Sequence, residues 1–328
     1  MKSKHLTILT EPEGYSEKAK AMLRKIGPVF SWAEIKNRKD ILATADIVAV
    51  KLGIKISKTF LDCLPGLKII ATSTTGLNHI DIKAAARRGI NIISLRGETK
   101  FLRTITPTAE ETLGLMIMLT RNLPWGFDAV RRGRWDKEKL YGHELNGKTL
   151  GVLGFGRLGS MVAKMARSFG MKIVACDPYV PKSAMARAGA VKVSTDELFR
   201  KSDAVTVHVL LTDKTRALVK RRHFKLMKPS AYFINTARGE LVDEKALLEA
   251  LEKKRIAGAA LDVLSNEDPE GRHVRRHPLV RYAKRHQNLI IVPHLGGATF
   301  ESMAKTEEFI AEKIVQVLRA ARRYDRMF

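Results

Sequence analysis

The sequence predicts an α/β protein with two doubly wound parallel sheets, and three observations carry that reading. Apolar runs alternate with helical patterns along the chain, the order that covers a parallel sheet on both faces. The alternation is broken once, at "TPTAEETLGLMIMLTRN", by a single long apolar helix. At 328 residues the chain has room for two cores. We therefore place a domain crossing at Thr108, with one domain over 1–107, completed by the C-terminal helix 298–328, and a second over 108–297.

In the first domain "LTIL", "DIVAV", "KIIATS" and "INIISL" are the strands, separated by a helix from about Ser16, "SKTFLDCL" and "HIDIKAAARR". In the crossing helix Thr108 and Glu111 stand three apart, as a capping box would have them. The second sheet follows as "KTLGVLGF", "KIVACD", "AVKVS", "DAVTVHVL", "AYFINT", "IAGAAL" and "NLIIVPH". A last amphipathic helix, "ESMAKTEEFIAEKIVQVLRAARR", has no strand after it and is expected to pack back on the first domain. Residues 271–287, "GRHVRRHPLVRYAKRHQ", are the most basic and least regular stretch and read as a loop or short helix.

Composition narrows the function classes. No run of 18 apolar residues appears, and the first residues lack the apolar centre and small-residue cleavage site of a secretory leader, so a cytoplasmic protein without membrane contact is expected. Cys63 and Cys176 lie far apart among apolar neighbours, without metal-ligand spacing, and read as buried free thiols; no metal site is expected. Lys and Arg number 59 against 34 Asp and Glu, a net charge of +25. Basic clusters at 131–134, 220–225, 272–285 and 319–326 would attract nucleic acid, an anionic membrane or phosphorylated substrates. No aromatic interleaving or helix-turn-helix pattern accompanies them, so we read them as solvated faces and do not expect nucleic-acid binding.

The stretch "GVLGFGRLGSMVAKMARSFGMKIVACDP", 151–178, is where chemistry first becomes legible. Gly154, Gly156 and Gly159 form G-x-G-x-x-G between a strand and a helix. The first glycine permits the tight turn, the second a close backbone approach to a pyrophosphate, and the third close helix–strand packing. The helix N-terminus then offers free N–H groups to phosphate. Asp177 ends the next strand at the offset where an acid takes the ribose hydroxyls, which predicts a Rossmann dinucleotide site. The acid would repel a 2′-phosphate, so NAD is expected rather than NADP, with Lys182 the nearby cation.

In open parallel sheets ligands lie beyond the carboxyl ends of the strands. Three polar residues stand at such ends: Arg238 in "FINTARGELVDEKAL", Glu267 in "GAALDVLSNEDP" and His294 in "IIVPHLGGAT". Reduction of a 2-keto acid needs a cation for carboxylate and carbonyl, which suits the planar arginine fork. It also needs a proton donor that titrates near neutrality, which suits histidine, with a carboxylate on its other nitrogen to keep it charged.

With these motifs the sequence resembles the NAD-dependent D-2-hydroxyacid dehydrogenases, closest to the D-3-phosphoglycerate dehydrogenase branch. The resemblance rests on "STTGLNHIDIKAAARRGI", "ELNGKTLGVLGFGRLG", "FINTARGELVDEKALLEAL", "GAALDV" and "VPHLGGAT". It implies a Rossmann domain and a flavodoxin-like substrate domain with a cleft between them, and a homodimer joined through the cofactor domain. It implies that Arg238 binds the substrate, that His294 is the acid/base and that Glu267 is its partner. The cofactor would meet Gly154, Phe155, Gly156, Arg157, Leu158, Gly159, Asp177, His208, Val209, Thr212, Thr236, Ala237, Arg238, Asp262, His294, Gly296 and Gly297. Lys51 and the backbone of Thr75 and Gly76 would face the substrate. The chain ends soon after its last helix, so the C-terminal serine-sensing module of long phosphoglycerate dehydrogenases is not expected.

Three departures from the family pattern bear on the site. Leu210 stands where proline is common, which leaves the adenine edge open. Asp268 separates Glu267 from Pro269, which is expected to reset that loop by a residue. The segment "SLRGETKFLRTITP" is longer and more charged than usual, and its Arg96, Lys100 and Arg103 suggest an anionic substrate larger than lactate, such as a phosphorylated one; a solvated basic loop is the alternative. A nicotinamide-sensing corepressor on the same fold is the competing function, disfavoured by the absence of long polar tails.

Overall fold

The computed structural model describes residues 5–268 and 271–324. Pro269 and the end of the last basic cluster lie outside the described residues. The chain divides into two compact units, Met1–Ile105 with Thr299–Phe328, and Thr106–Ala298.

In the first unit the elements run β1 Leu6–Leu9, α1 Glu17–Arg24, β2 Val29–Ser31, α2 Trp32–Ile35, α3 Lys39–Leu42, β3 Ala45–Val50, α4 Lys58–Asp62, β4 Ile69–Thr72, α5 Ile82–Arg87, β5 Asn91–Ile93 and α6 Thr99–Leu102. All pairings are parallel, in the order β2-β1-β3-β4-β5. The first strand sits inside the sheet, the flavodoxin-like order, and ligands of such sheets lie at the carboxyl ends near β1 and β3. Ile8, Ile47 and Ile70 are buried on these strands, each stabilising by about 2 kcal/mol. The long C-terminal helix, Phe300–Tyr324, packs on α1. Its Glu307 accepts from the Ser16 backbone N–H at 2.6 Å, at the start of α1.

In the second unit the elements are α7 Pro107–Thr120, α8 Leu123–Arg131, β6 Thr149–Leu153, α9 Arg157–Ser168, β7 Lys172–Cys176, α10 Lys182–Arg187, β8 Ala190–Lys192, α11 Thr195–Lys201, β9 Ala204–Val207, α12 Arg221–Leu226, β10 Tyr232–Asn235, α13 Glu244–Glu252, β11 Gly258–Leu261, α14 Pro278–Ala283 and β12 Leu289–Ile291. Their strands form one parallel sheet in the order β12-β11-β10-β9-β6-β7-β8, which winds outwards from β6 on both sides, as a Rossmann sheet does. Runs of buried residues on β6, β9 and β11 match a sheet covered on both faces.

Four expectations need correction. The edge strand β2 and the short α2 and α3 were not foreseen. The segment 96–107 is not a free loop: α6 buries Leu102, stacks Phe101 on Phe309 with ring centroids 3.9 Å apart, and places Glu98 against Lys313. Thr108 and Glu111 do not cap α7, whose N-cap residue is Thr106 and which has no side-chain cap. Cys63 is exposed and donates weakly to the Thr59 carbonyl. The stretch 271–287, in contrast, is loop and short helix as expected, with a turn of 3-10 helix, Val274–Arg276, and then α14.

Candidate active site

The glycine turn joins β6 to α9. Gly154 has φ +90°, and a Cβ there would meet the His208 carbonyl at 2.7 Å, so conformation and contact both demand glycine. A Cβ on Gly159 would lie 2.0 Å from the Gly154 oxygen, whereas around Gly156 the space is open. Arg157 opens α9, and Gly156 precedes it without a side-chain cap, which leaves the first-turn N–H groups of Leu158 and Gly159 available to an anion. Asp177 accepts from the backbone N–H of Phe155 and of Tyr179, both at 2.9 Å, which fixes the acid beside the turn. An open glycine, uncapped donors and a fixed acid fit a dinucleotide's pyrophosphate and ribose. Just after β9, His208 shares a hydrogen bond with Thr206 at 3.0 Å, and desolvation pushes its ring down to about 4, so it is neutral. Val209 follows it half-buried; Thr212 and Leu210 are exposed.

The carboxyl ends of β10, β11 and β12 bring together the three residues expected to carry chemistry. After β10, Asn235 pins the turn: its amide donates to the Arg238 carbonyl at 2.9 Å and accepts from the Ala237 N–H at 3.0 Å. Buried Thr236 bonds Thr112 of α7 at 2.8 Å. Gly239 lets this turn pass against the Leu264–Ser265 backbone, where a Cβ would lie 2.0 Å from the Leu264 carbonyl carbon. After β11, Glu267 accepts from the Leu264 N–H at 2.9 Å with one oxygen and faces His294 Nδ1 at 2.6 Å with the other. The inserted Asp268 therefore does not displace Glu267 from the histidine.

His294 sits at φ +55° and Asn266 at +57°, left-handed conformations that histidine and asparagine tolerate better than most residues. The hydrogen bond to Glu267 raises the His294 pKa, against a smaller opposing effect of burial. Burial raises the Glu267 carboxyl, but the bond and charge of His294 outweigh it and hold that carboxyl below the ordinary range. Arg238 is near enough to act electrostatically on both.

Sequence reasoning missed how Asp262 and α7 build the histidine turn. Asp262 is 1% exposed and accepts from the N–H of Leu295 at 2.5 Å and of Gly296 at 2.9 Å, while its own carbonyl accepts from His294 N–H. Thr108 Oγ1 donates to the Gly296 carbonyl at 2.9 Å. Thr108 and Glu111, expected as a capping box, instead lie on the face of α7 that meets the histidine turn. Gly297 is exposed and uncrowded.

The other expected residues belong to the first unit. Lys51 follows β3, with Nζ 2.8 Å from Glu307 and 5.2 Å from the Tyr15 ring centre. Thr75 and Gly76 follow β4 in a turn shaped by Thr74, whose hydroxyl donates to the Gly76 carbonyl at 2.8 Å. Arg103 is exposed at the end of α6. No group of His, Cys, Asp and Glu among the described residues is arranged to hold a metal ion. No described helix is long and apolar enough to cross a membrane.

A parallel sheet wound outwards from β6, with a glycine turn and a fixed acid on it, defines a dinucleotide-binding Rossmann domain, and an arginine and a carboxylate-held histidine stand at its carboxyl edge. The family model for the D-isomer specific 2-hydroxyacid dehydrogenase NAD binding domain matches residues 113–296, and the chain belongs to that family. It is 36% identical over 315 residues to the D-3-phosphoglycerate dehydrogenase of Methanocaldococcus jannaschii, covering 95% of this chain and 57% of that protein. It is 34% identical over 278 residues to the hydroxypyruvate reductase of Thermotoga maritima, covering 85% and 86% of the two chains. The chain thus spans about half the length of the phosphoglycerate dehydrogenases it matches. Among solved structures, the D-lactate dehydrogenase of Aquifex aeolicus, complexed with NAD and lactic acid, superposes with a TM-score of 0.81 at 27% identity over 96% of each chain. The second unit is accordingly an NAD-binding domain.

Proposed function

We propose that the protein is an NAD-dependent dehydrogenase that moves a hydride reversibly between NAD(H) and a D-2-hydroxy acid, and that it works in the cytoplasm as a homodimer. The observation that carries the reading is the 2.6 Å contact between His294 and Glu267 at the carboxyl edge of the dinucleotide sheet, within the field of Arg238. Bound NADH would supply the hydride to the substrate's carbonyl carbon.

The protein's part is to hold, polarise and protonate. Arg238 pairs with the substrate carboxylate and draws electron density towards the carbonyl oxygen. His294 gives the proton from Nε2 as the oxygen becomes an alkoxide, and Glu267 on Nδ1 keeps the ring protonated until then. In oxidation His294 takes that proton back. The balance is one 2-keto acid, one hydride and one proton per hydroxy acid. Arg103 and the backbone of Thr75 and Gly76 are the further groups we assign to the substrate, a 2-keto acid with a second anionic group such as a phosphate, whereas Lys51 is engaged by Glu307.

The homodimer reading is supported by exposed apolar side chains close in sequence on the cofactor unit, Phe127, Val130, Trp135 and Tyr141, with Trp135 exposed by 85%. Exposed, unpaired Cys63 suits a reducing compartment. The test is NADH oxidation against glyoxylate, hydroxypyruvate, 3-phosphohydroxypyruvate and 2-oxoglutarate, beside a His294→Ala variant. Turnover that vanishes in the variant supports the reading; tight NADH binding without turnover on any of these acids overturns it.

A further inference from the structure

The second unit contains a pair of acids that the proposed reaction does not use. Glu111 projects from α7 towards Asp262, and a Cβ built on Gly296 would lie 2.9 Å from Glu111 Oε2 and 3.0 Å from Asp262 Oδ2. Both carboxyl groups therefore line one small space beside the histidine turn. Glu111 Oε2 is buried and meets no protein donor. Two carboxylates facing each other are both acceptors, and a proton on one of them turns the pair into a donor and an acceptor.

We infer that Glu111 is a positioning residue that shares one proton with Asp262, and that the singly charged pair holds the Leu295–Gly296 turn and, through it, His294. Asp262 has its hands full with the Leu295 and Gly296 N–H groups, so the proton resides on Glu111 and is donated to Asp262. Thr108, on the same face of α7, bonds the Gly296 carbonyl, so one helix face grips the turn by donor and by shared proton. Burial first, and the Asp262 charge second, push Glu111 up to about 8. Burial likewise raises Asp262, against the two N–H groups that favour its ionised form.

Among the described residues the charges acting on Glu111 are Asp262, after β11, and His294, after β12; α8, α9 and β10, also packed on α7, contribute none. Between the titration of Asp262 and that of Glu111 near about 8 the pair carries one negative charge, and above the latter it carries two. The imidazolium of His294 favours loss of the pair's proton, and by reciprocity loss of that proton tightens the hold of His294 on its own. The two groups titrate as a linked set. The consequence for turnover rests on the dehydrogenase reading, but the linkage does not.

The experiment follows the His294 ring carbon and proton resonances of the protein without cofactor or substrate, from about pH 5 to about 10, in wild type, Glu111→Gln and Glu111→Leu. The expected result is two inflections in wild type, one near the Glu111 titration, and a single inflection in Glu111→Gln, whose amide donates to Asp262 without titrating. Activity persists in Glu111→Gln and drops in Glu111→Leu, where Asp262 loses its donor. Infrared difference spectra between neutral and alkaline pH give a second reading: a protonated carboxyl band lost on alkalinisation in wild type and absent in Glu111→Gln. One inflection in wild type that Glu111→Gln leaves unchanged, or no such band, overturns the inference. Two inflections in a protein that turns over no 2-keto acid overturn the dehydrogenase reading alone.

Discussion

His294 with Glu267 in the second unit and Lys51 with Glu307 in the first are each a cation held by a carboxylate at the carboxyl edge of a parallel sheet. They differ in burial and in what the cation can do. The side chains of His294 and Glu267 are 28% and 32% exposed, whereas those of Lys51 and Glu307 are 14% and 0% exposed. Histidine changes charge near neutrality and lysine does not. The first pair is open to a reactant and can pass on its proton; the second is sealed, and its Glu307 also ties the C-terminal helix to Ser16. On the proposed reading a carboxylate beside a cation serves chemistry in one place and cohesion in the other, and burial separates the two.

The largest expected effect breaks the open pair. In His294→Ala, kcat should fall by about 10²- to 10⁴-fold, the range for loss of a general acid, with NADH affinity little changed. An equal loss of NADH affinity would mean that the residue is chiefly a cofactor contact. Next, Lys51→Met strands a buried carboxylate and should cost about 3 kcal/mol of unfolding free energy in urea. Adding Glu307→Leu should recover most of that cost, because removing both charges relieves the burial. A harmless Lys51→Met would show that water reaches Glu307.

Glu267→Gln comes third, with a loss of about 10- to 100-fold in kcat/KM for the reduction, the worth of one charged hydrogen bond. Its pH signature is more telling than its size. Glu267 raises the His294 pKa, so reduction should lose its proton donor at lower pH in the variant, moving the alkaline limb of the profile down. The same pair contributes to stability between two limits. As pH rises through the elevated pKa of His294 the contribution is lost, and as pH falls through the depressed pKa of Glu267 it is lost again. A variant whose thermal stability relative to wild type is flat across that window would argue that the contact exists only for orientation.

The strands and the glycine turn were legible because their signals are local: apolar runs of four to six residues, and glycines at fixed offsets beside an acid. Arg238, Glu267 and His294 could be singled out because each follows an apolar run at the functional edge of a sheet. What was hidden depends on contacts between distant segments. Glu307 and Glu308 stand side by side in "KTEEF" and look alike, yet one is wholly buried against Lys51 and the other reaches the exposed Lys18. The strand β2 is three half-buried edge residues, too short for a period to show. Its neighbour did leave a signal, since Ser31 and Glu34 form a true capping box, whereas Thr108 and Glu111 share that spacing and serve another purpose.

The smallest expected effect sharpens the contrast between committed and uncommitted cations in the first unit. Lys51 has its charge balanced by Glu307, so it offers an incoming anion little net field. Arg103 is exposed at the end of α6, where the helix is anchored by Leu102 and Phe101 while the guanidinium is left outward. If the substrate carries a second anionic group, Arg103→Ala should lower kcat/KM for 3-phosphohydroxypyruvate relative to hydroxypyruvate by about fivefold at low salt, the scale of one screened charge–charge contact. The ratio should converge with that of wild type as salt is raised, because such a contact is screened. Unchanged kinetics for both acids would remove Arg103 from substrate selection and leave the basic segment as a solvated face. A drop shared equally by both acids would instead mean that α6 positions the turn at Thr75 and Gly76 without reading the distal group.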